Sequence, residues 1–217
     1  QPHDLQHKHL PELFDHRERE LREAKYTYFY GQAAAIVTLS SWTKQDIVRW
    51  TGVDPQKVRV LPYPPPLDGG GTATPEGVTA LRRTHDLPGD FLLCAAQTWP
   101  HKNHLGLVRA VGLLRDRGVM VNIVCSGRQN EHYEVIKAEM AKLKLQDRIK
   151  FVGFVSPTEL KCLYREARGV VIPTKFEAAS YPMWEAFREG RAVACSNVTS
   201  LPEQAGDAAL IFDPTDA

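Results

Sequence analysis

The chain has 217 residues, 43% of them hydrophobic, enough for one core of ordinary size or for one domain plus part of another, which argues against disorder and fibrous architectures. Its 27 basic and 26 acidic side chains leave a formal charge of +1 and are mixed along the whole length, so no charged field marks a nucleic-acid or polybasic membrane surface. The longest apolar runs, such as Phe91–Ala96 and Val119–Cys125, are far short of a membrane span, and the His-rich start has no signal-peptide apolar core. The expected setting is cytoplasmic, with peripheral attachment at the inner membrane face left open. The start at Gln1, without an initiator Met, suggests a piece of a longer protein.

In chain order, the first predicted elements are a helix over Arg17–Gln32, a buried strand at Ala35–Leu39, a helix over Thr43–Trp50 capped by Ser41 or Thr43 and stopped at Gly52, and a short strand at Val58–Leu61. That set is too small to bury a core alone. The tract from Pro62 to Pro75, proline-rich and then glycine-rich, reads as an interdomain connection. The expected boundaries are therefore a partial domain at 1–62, a linker at 63–75 and a complete domain at 76–217.

The pattern after the linker is regular. Strands are predicted at Phe91–Ala96, Val119–Cys125, Ile149–Val152, Gly169–Pro173, Ala192–Ser196 and Ala209–Phe212. Helices are predicted at Asn103–Arg117, Glu131–Leu143, Pro157–Ala167 and Pro182–Glu189, with a short one near Ser200–Ala205. Near-continuous apolar strands alternating with amphipathic helices specify an α/β, doubly wound parallel sheet, whose ligands bind beyond the carboxyl ends of the strands.

The loops at those ends are the informative ones. Lys102 stands at a helix start, where free N–H groups and an ammonium suit a phosphate; the alternative is a solvated lysine beside a capping Asn103. Gly127 permits close backbone approach to a ligand or simply turns the chain. Gly153 with Phe154 could seat a flat base, and packing against the next helix explains Phe154 equally well. In Lys175–Gly190, Pro182 suits a first helical position, with Ser180 or Tyr181 as its cap and Ala178, Ala179 and Ser180 leaving backbone N–H groups open to an anion. Glu177 ahead of that helix and Glu185 on its first turn would repel phosphate unless each accepts from hydroxyls instead. A sugar nucleotide offers such hydroxyls at both ends. Glutamates complementing a helix dipole would explain Glu185 but not the small residues.

Four cysteines, Cys94, Cys125, Cys162 and Cys195, lie about thirty residues apart and read as reduced core residues. His3, His7, His9 and His16 lack a matching second ligand pair, so no metal site is expected; His3 is expected to end a strand facing a cleft.

These residues together resemble retaining glycosyltransferases of the GT-B class, family GT4, in which two Rossmann-like domains face each other. Glu177 and Glu185 look like that family's E-x7-E motif, followed by Gly190-x-Ala-Val193, Pro202-Glu203, Gly206-Asp-Ala-Ala209 and Phe212-Asp-Pro214. Ser40, Asp46-Ile47, Gly52-Val-Asp-Pro55, Lys57-Val58 and His3-Asp4-Leu5-Gln6-His7 are similar to stretches of the family's first domain. The resemblance implies one complete Rossmann-like donor domain plus the C-terminal part of an acceptor-side domain. It implies that Glu177 contacts donor-sugar hydroxyls, Glu185 the ribose, Lys102 the diphosphate, and Ala179, Ser180 and Tyr181 the distal phosphate. Gly127, Gly153 and Phe154 would lie near the base, and His3 near the transferred sugar.

Two positions depart from the family pattern. Glu177-Ala-Ala-Ser180 stands where Glu-Gly-Phe-Gly is usual, and Ala96 replaces an arginine that His101 is expected to replace only in part. The implied activity is transfer of a sugar from a UDP- or GDP-type donor, without a metal cofactor, to a carbohydrate or lipid-linked saccharide, with no transfer by this fragment alone. A GT-B-like sugar-nucleotide epimerase and a non-catalytic nucleotide-sugar-binding domain are the alternatives.

Overall fold

A computed structural model describes residues 4–62 and 72–216. The chain divides into two units. The first comprises Gln1–Tyr63 with Phe176–Ser180 and Val198–Gly206; the second comprises Pro64–Lys175, Tyr181–Asn197 and Asp207–Ala217.

The first unit begins with α1 (Gln6–His9) and α2 (His16–Gln32), the latter capped by Asp15, whose carboxylate accepts from the Glu18 N–H at 2.7 Å. Strand β1 (Ile36–Thr38), helix α3 (Ser41–Thr51) and strand β2 (Val58–Val60) follow, with β1 and β2 parallel and Ile36 opposite Val58. The cap of α3 is Ser40, one residue before the expected Ser41: Ser40 is the last extended residue, and its hydroxyl accepts from Thr43 N–H. Gly52, at φ +66°, closes α3 in the left-handed conformation that favours glycine. Leu5, Tyr30, Ile36, Ile47 and Val58 form the core of this unit.

The second unit opens with α4 (Pro75–His85), a helix not predicted from the sequence, whose first residue is the last of the expected linker. Thr74 caps it by accepting from Gly77 N–H, and Pro75 is its first residue, where a missing N–H costs nothing. Most of the expected linker, residues 63–71, lies outside the described residues. Then come β3 (Leu92–Ala95), α5 (His104–Asp116), β4 (Ile123–Ser126), α6 (His132–Lys142), β5 (Ile149–Gly153), α7 (Pro157–Glu166), β6 (Gly169–Ile172), α8 (Tyr181–Arg188), β7 (Ala192–Ser196) and β8 (Ala209–Phe212). Strand β4 starts four residues later than expected, because Gly118 turns the chain at φ +80° and Val119 and Met120 stay exposed.

All six strands β3–β8 are parallel, in the order β5-β4-β3-β6-β7-β8. This is the doubly wound arrangement that the sequence predicts. The order reverses between β3 and β6, so a crevice opens at the carboxyl ends of those strands. On one face Leu107, Val108 and Val111 of α5 and Ile136 and Met140 of α6 pack over Cys94, Ile123, Cys125 and Ile149. The connection into α7 is fixed by a capping box between Ser156 and Glu159.

The two later segments belong to the first unit through specific contacts. In α9 (Leu201–Ala205) the Glu203 carboxylate accepts from Ser41 and Trp42 N–H at 2.8 and 2.9 Å, satisfying open donors at the start of α3. Phe176 packs against the rings of His9 and Trp42.

Candidate functional site

At the carboxyl ends of β3, β4 and β5 a cavity of about 240 Å³ is lined by Ala96 and Gln97, Gly127 and Arg128, Phe154, and Tyr181 and Glu185 of α8. Four of the residues singled out from sequence, Gly127, Phe154, Tyr181 and Glu185, therefore meet in one place. Glycine is obligatory at 127: φ is +141°, and a Cβ would come within 2.5 Å of the Ala96 carbonyl oxygen. Its N–H donates to the Gly153 carbonyl at 2.8 Å, tying the two loops together. Gly153 is also left-handed, at φ +73°, but faces open space. Phe154 is 71% exposed, and the Arg128 guanidinium lies over its ring at 5.3 Å.

Glu185 is held by its own side chain. Helix α8 starts at Tyr181 rather than Pro182 and has no acidic residue in its first turn, so Glu185 lies beyond it and the dipole explanation is lost. Its carboxylate instead accepts from the Tyr164 hydroxyl at 2.8 Å. Burial and the Glu185 charge raise the Tyr164 pKa well above its usual value, so the phenol stays a donor at neutral pH.

Lys102 ends a short 3-10 turn at Pro100–Lys102 in the loop after β3 that also carries Gln97, and it stands outside the cavity lining. Asn103, at φ +58°, caps α5 by accepting from Gly106 N–H, as expected of that residue. Burial and the neighbouring Lys102 charge push the His101 pKa down to about 4. With its pKa lowered, the imidazole offers a hydrogen bond rather than a full positive charge near pH 7. Arg128, which the sequence reading overlooked, brings a guanidinium to the cavity that has Ala96 in its wall.

Glu177, Ala179 and Ser180 belong to the first unit. The Glu177 N–H donates to the Thr199 hydroxyl at 3.1 Å, and the Glu177 carbonyl accepts from the hydroxyls of Thr199 and Ser200 at 2.5 and 2.8 Å. The Ser180 N–H, expected to be open to an anion, is already donated to the Gln204 side-chain oxygen at 2.9 Å. The buried Ser180 Oγ has no hydrogen-bond partner among the described residues. His3 lies outside the described residues.

The family profile described as "Glycosyl transferases group 1" matches residues 82–217. The chain belongs to that family. It is 29% identical over 185 residues to "O-antigen chain mannosyltransferase B" of Escherichia coli, covering 85% of this chain and 49% of that protein. It is 27% identical to "MMP alpha-(1->4)-mannosyltransferase" of Mycolicibacterium hassiacum, covering 85% and 43%. The chain thus spans about half the length of these curated relatives. Among solved structures, Anabaena Alr3699/HepE in complex with UDP and glucose superposes with a TM-score of 0.78 at 16% identity, over 94% of this chain and 55% of that one. WaaG, a glycosyltransferase involved in lipopolysaccharide biosynthesis, superposes at 0.71 and 16%, over 96% and 57%. The fold is GT-B. No helix among the described residues is long and apolar enough to cross a membrane.

Proposed function

We propose that the chain carries the donor half of a glycosyltransferase that moves a mannosyl or related hexosyl group from a nucleoside diphosphate to a saccharide or lipid-linked saccharide, with retention of anomeric configuration. The observation that carries this reading is Glu185, a carboxylate oriented by Tyr164 at the rim of a cavity with Gly127 and Phe154 in its walls. One carboxylate can accept from both vicinal ribose hydroxyls, Phe154 offers an apolar face to the base, and Gly127 lets the loop after β4 close against Ala96 in the cavity wall.

Lys102 and Arg128 supply positive charge for the departing diphosphate, so the scheme draws on side chains rather than on a bound divalent ion. Glu177 accepts from hydroxyls of the sugar; the role of His3 beside the transferred group rests on the family resemblance alone, as that residue is outside the described ones. Ala179 and Tyr181 bind the distal phosphate, and Ser180 joins them only if its N–H leaves Gln204. The mannosyltransferases among the relatives favour a mannosyl donor, and the UDP and glucose named with HepE favour a nucleoside diphosphate sugar as the ligand type.

Calorimetric titration of the chain with UDP, GDP and ADP, and with their hexose conjugates, tests the reading. One diphosphate class is expected to bind, and Glu185→Ala to abolish or strongly weaken it. Binding of none of them would defeat the proposal.

A further inference from the structure

A cluster in the second unit has no role in donor binding as read above. Cys94 on β3 and Cys125 on β4 are register partners on adjacent parallel strands, and both belong to the core beneath α5 and α6. His104, the first residue of α5, places its Nε2 3.9 Å from the Cys94 Sγ. One ligating atom from each of the three residues lies within 4.8 Å of the other two. All three are at most 2% exposed.

The imidazole is poorly satisfied where it is. Its Nδ1 is buried without a hydrogen-bond partner among the described residues, and the contact of Nε2 with a thiol is long and weak. The weak thiol contact leaves the Nε2 lone pair, which faces Cys94, able to serve a cation. Two sulfurs and an imidazole are the donor set of thiophilic cations, not of magnesium or calcium. Net charge then selects the valence: in an apolar core, two thiolates and a divalent ion give a neutral complex, whereas a monovalent ion leaves one negative charge uncompensated.

We propose that Cys94, Cys125 and His104 form a buried three-ligand site for a soft divalent cation of the zinc and cadmium type. Both thiols lose a proton on binding, neutral His104 gives its lone pair, and the two protons go to solvent with no change in oxidation state. The bound ion ties β3 to β4 beneath the loops that carry Ala96 and Gly127. This inference is independent of any donor-binding role.

The chain, kept reduced with a phosphine and refolded from denaturant so that the buried site is accessible, is titrated with Cd²⁺ alone. One Cd²⁺ per chain is expected, with ultraviolet thiolate-to-metal charge-transfer absorption, a higher unfolding midpoint and displacement by Zn²⁺. The double variant Cys94→Ala/Cys125→Ala should lose the absorption, and His104→Gln should weaken binding by about tenfold or more. Cys162→Ala/Cys195→Ala should bind as the parent does. Cadmium NMR of the parent chain, which needs no variant to fold, should report two sulfur ligands and one nitrogen. Absorption that persists without Cys94 and Cys125, its absence at saturating Cd²⁺, or a coordination sphere of oxygen ligands overturns the proposal.

Discussion

The two glutamates of the E-x7-E motif are fixed by opposite means. Glu177 is anchored through its main chain, whose N–H and carbonyl are taken by Thr199 and Ser200, while Glu185 is anchored through its own carboxylate by Tyr164. The main-chain bonds of Glu177 persist whatever its side chain, whereas at Glu185 the anchoring group is the side chain itself. Substitution at position 185 removes the anchor, whereas substitution at position 177 leaves the bonds to Thr199 and Ser200 in place.

The largest effect is expected on the main-chain-anchored side. Glu177→Gln, placed in a protein that contains both domains, should cut sugar transfer by about 100- to 1000-fold, the usual loss when one polar contact to the reacting group is removed. Nucleoside diphosphate affinity should stay at the parental value. Parental transfer activity in this variant would remove Glu177 from the sugar site.

On the other side, the strand-end loops are held by sterics as well as side chains. Gly127→Ala combines an unfavourable φ with a clash against the Ala96 carbonyl and should cost about 3 kcal/mol of stability. Gly153→Ala meets only the φ penalty and should cost about 1 kcal/mol. Urea unfolding of both variants measures the difference, and equal losses would mean that the Gly127 loop yields to accommodate a methyl group. Glu185→Ala should weaken nucleoside diphosphate binding by about 1.5–3 kcal/mol, a charge-assisted hydrogen-bonded contact, read by calorimetry. Undiminished affinity would remove the carboxylate from the ribose site.

The elements of the second unit were legible because each strand is a short apolar run bounded by turn residues, and each long helix has an apolar stripe. Helix α4 was not, since Thr74 and Pro75 serve equally well as the end of a linker and as a cap with a first residue. Gly127, Phe154, Tyr181 and Glu185 could be picked out individually; that they share a cavity follows from strand order, which no local pattern encodes. Tyr164 looks like any buried position on an amphipathic helix, and its partner lies 21 residues away. Arg128, the lowered pKa of His101, the Gln204 contact to Ser180 and the meeting of Cys94 with Cys125 likewise depend on distant neighbours.

The smallest expected effect probes the side-chain anchor itself. Tyr164→Phe keeps the buried ring and removes only the hydroxyl that donates to Glu185. Because Glu185 also borders the cavity, water can take up part of the lost hydrogen bond, so the cost in stability should be about 1 kcal/mol rather than the larger penalty of a fully buried orphan. The freed carboxylate then samples more rotamers, and ordering it again on binding should weaken the diphosphate complex by about 0.5–1 kcal/mol, without the full loss given by Glu185→Ala. A double-mutant cycle with Glu185→Ala isolates the coupling: in the Glu185→Ala background, Tyr164→Phe should change nucleotide affinity no further. Additive losses in affinity would show that Tyr164 supports the cavity by packing alone, and the contrast between a backbone-held and a side-chain-held glutamate would then rest on Glu177 only.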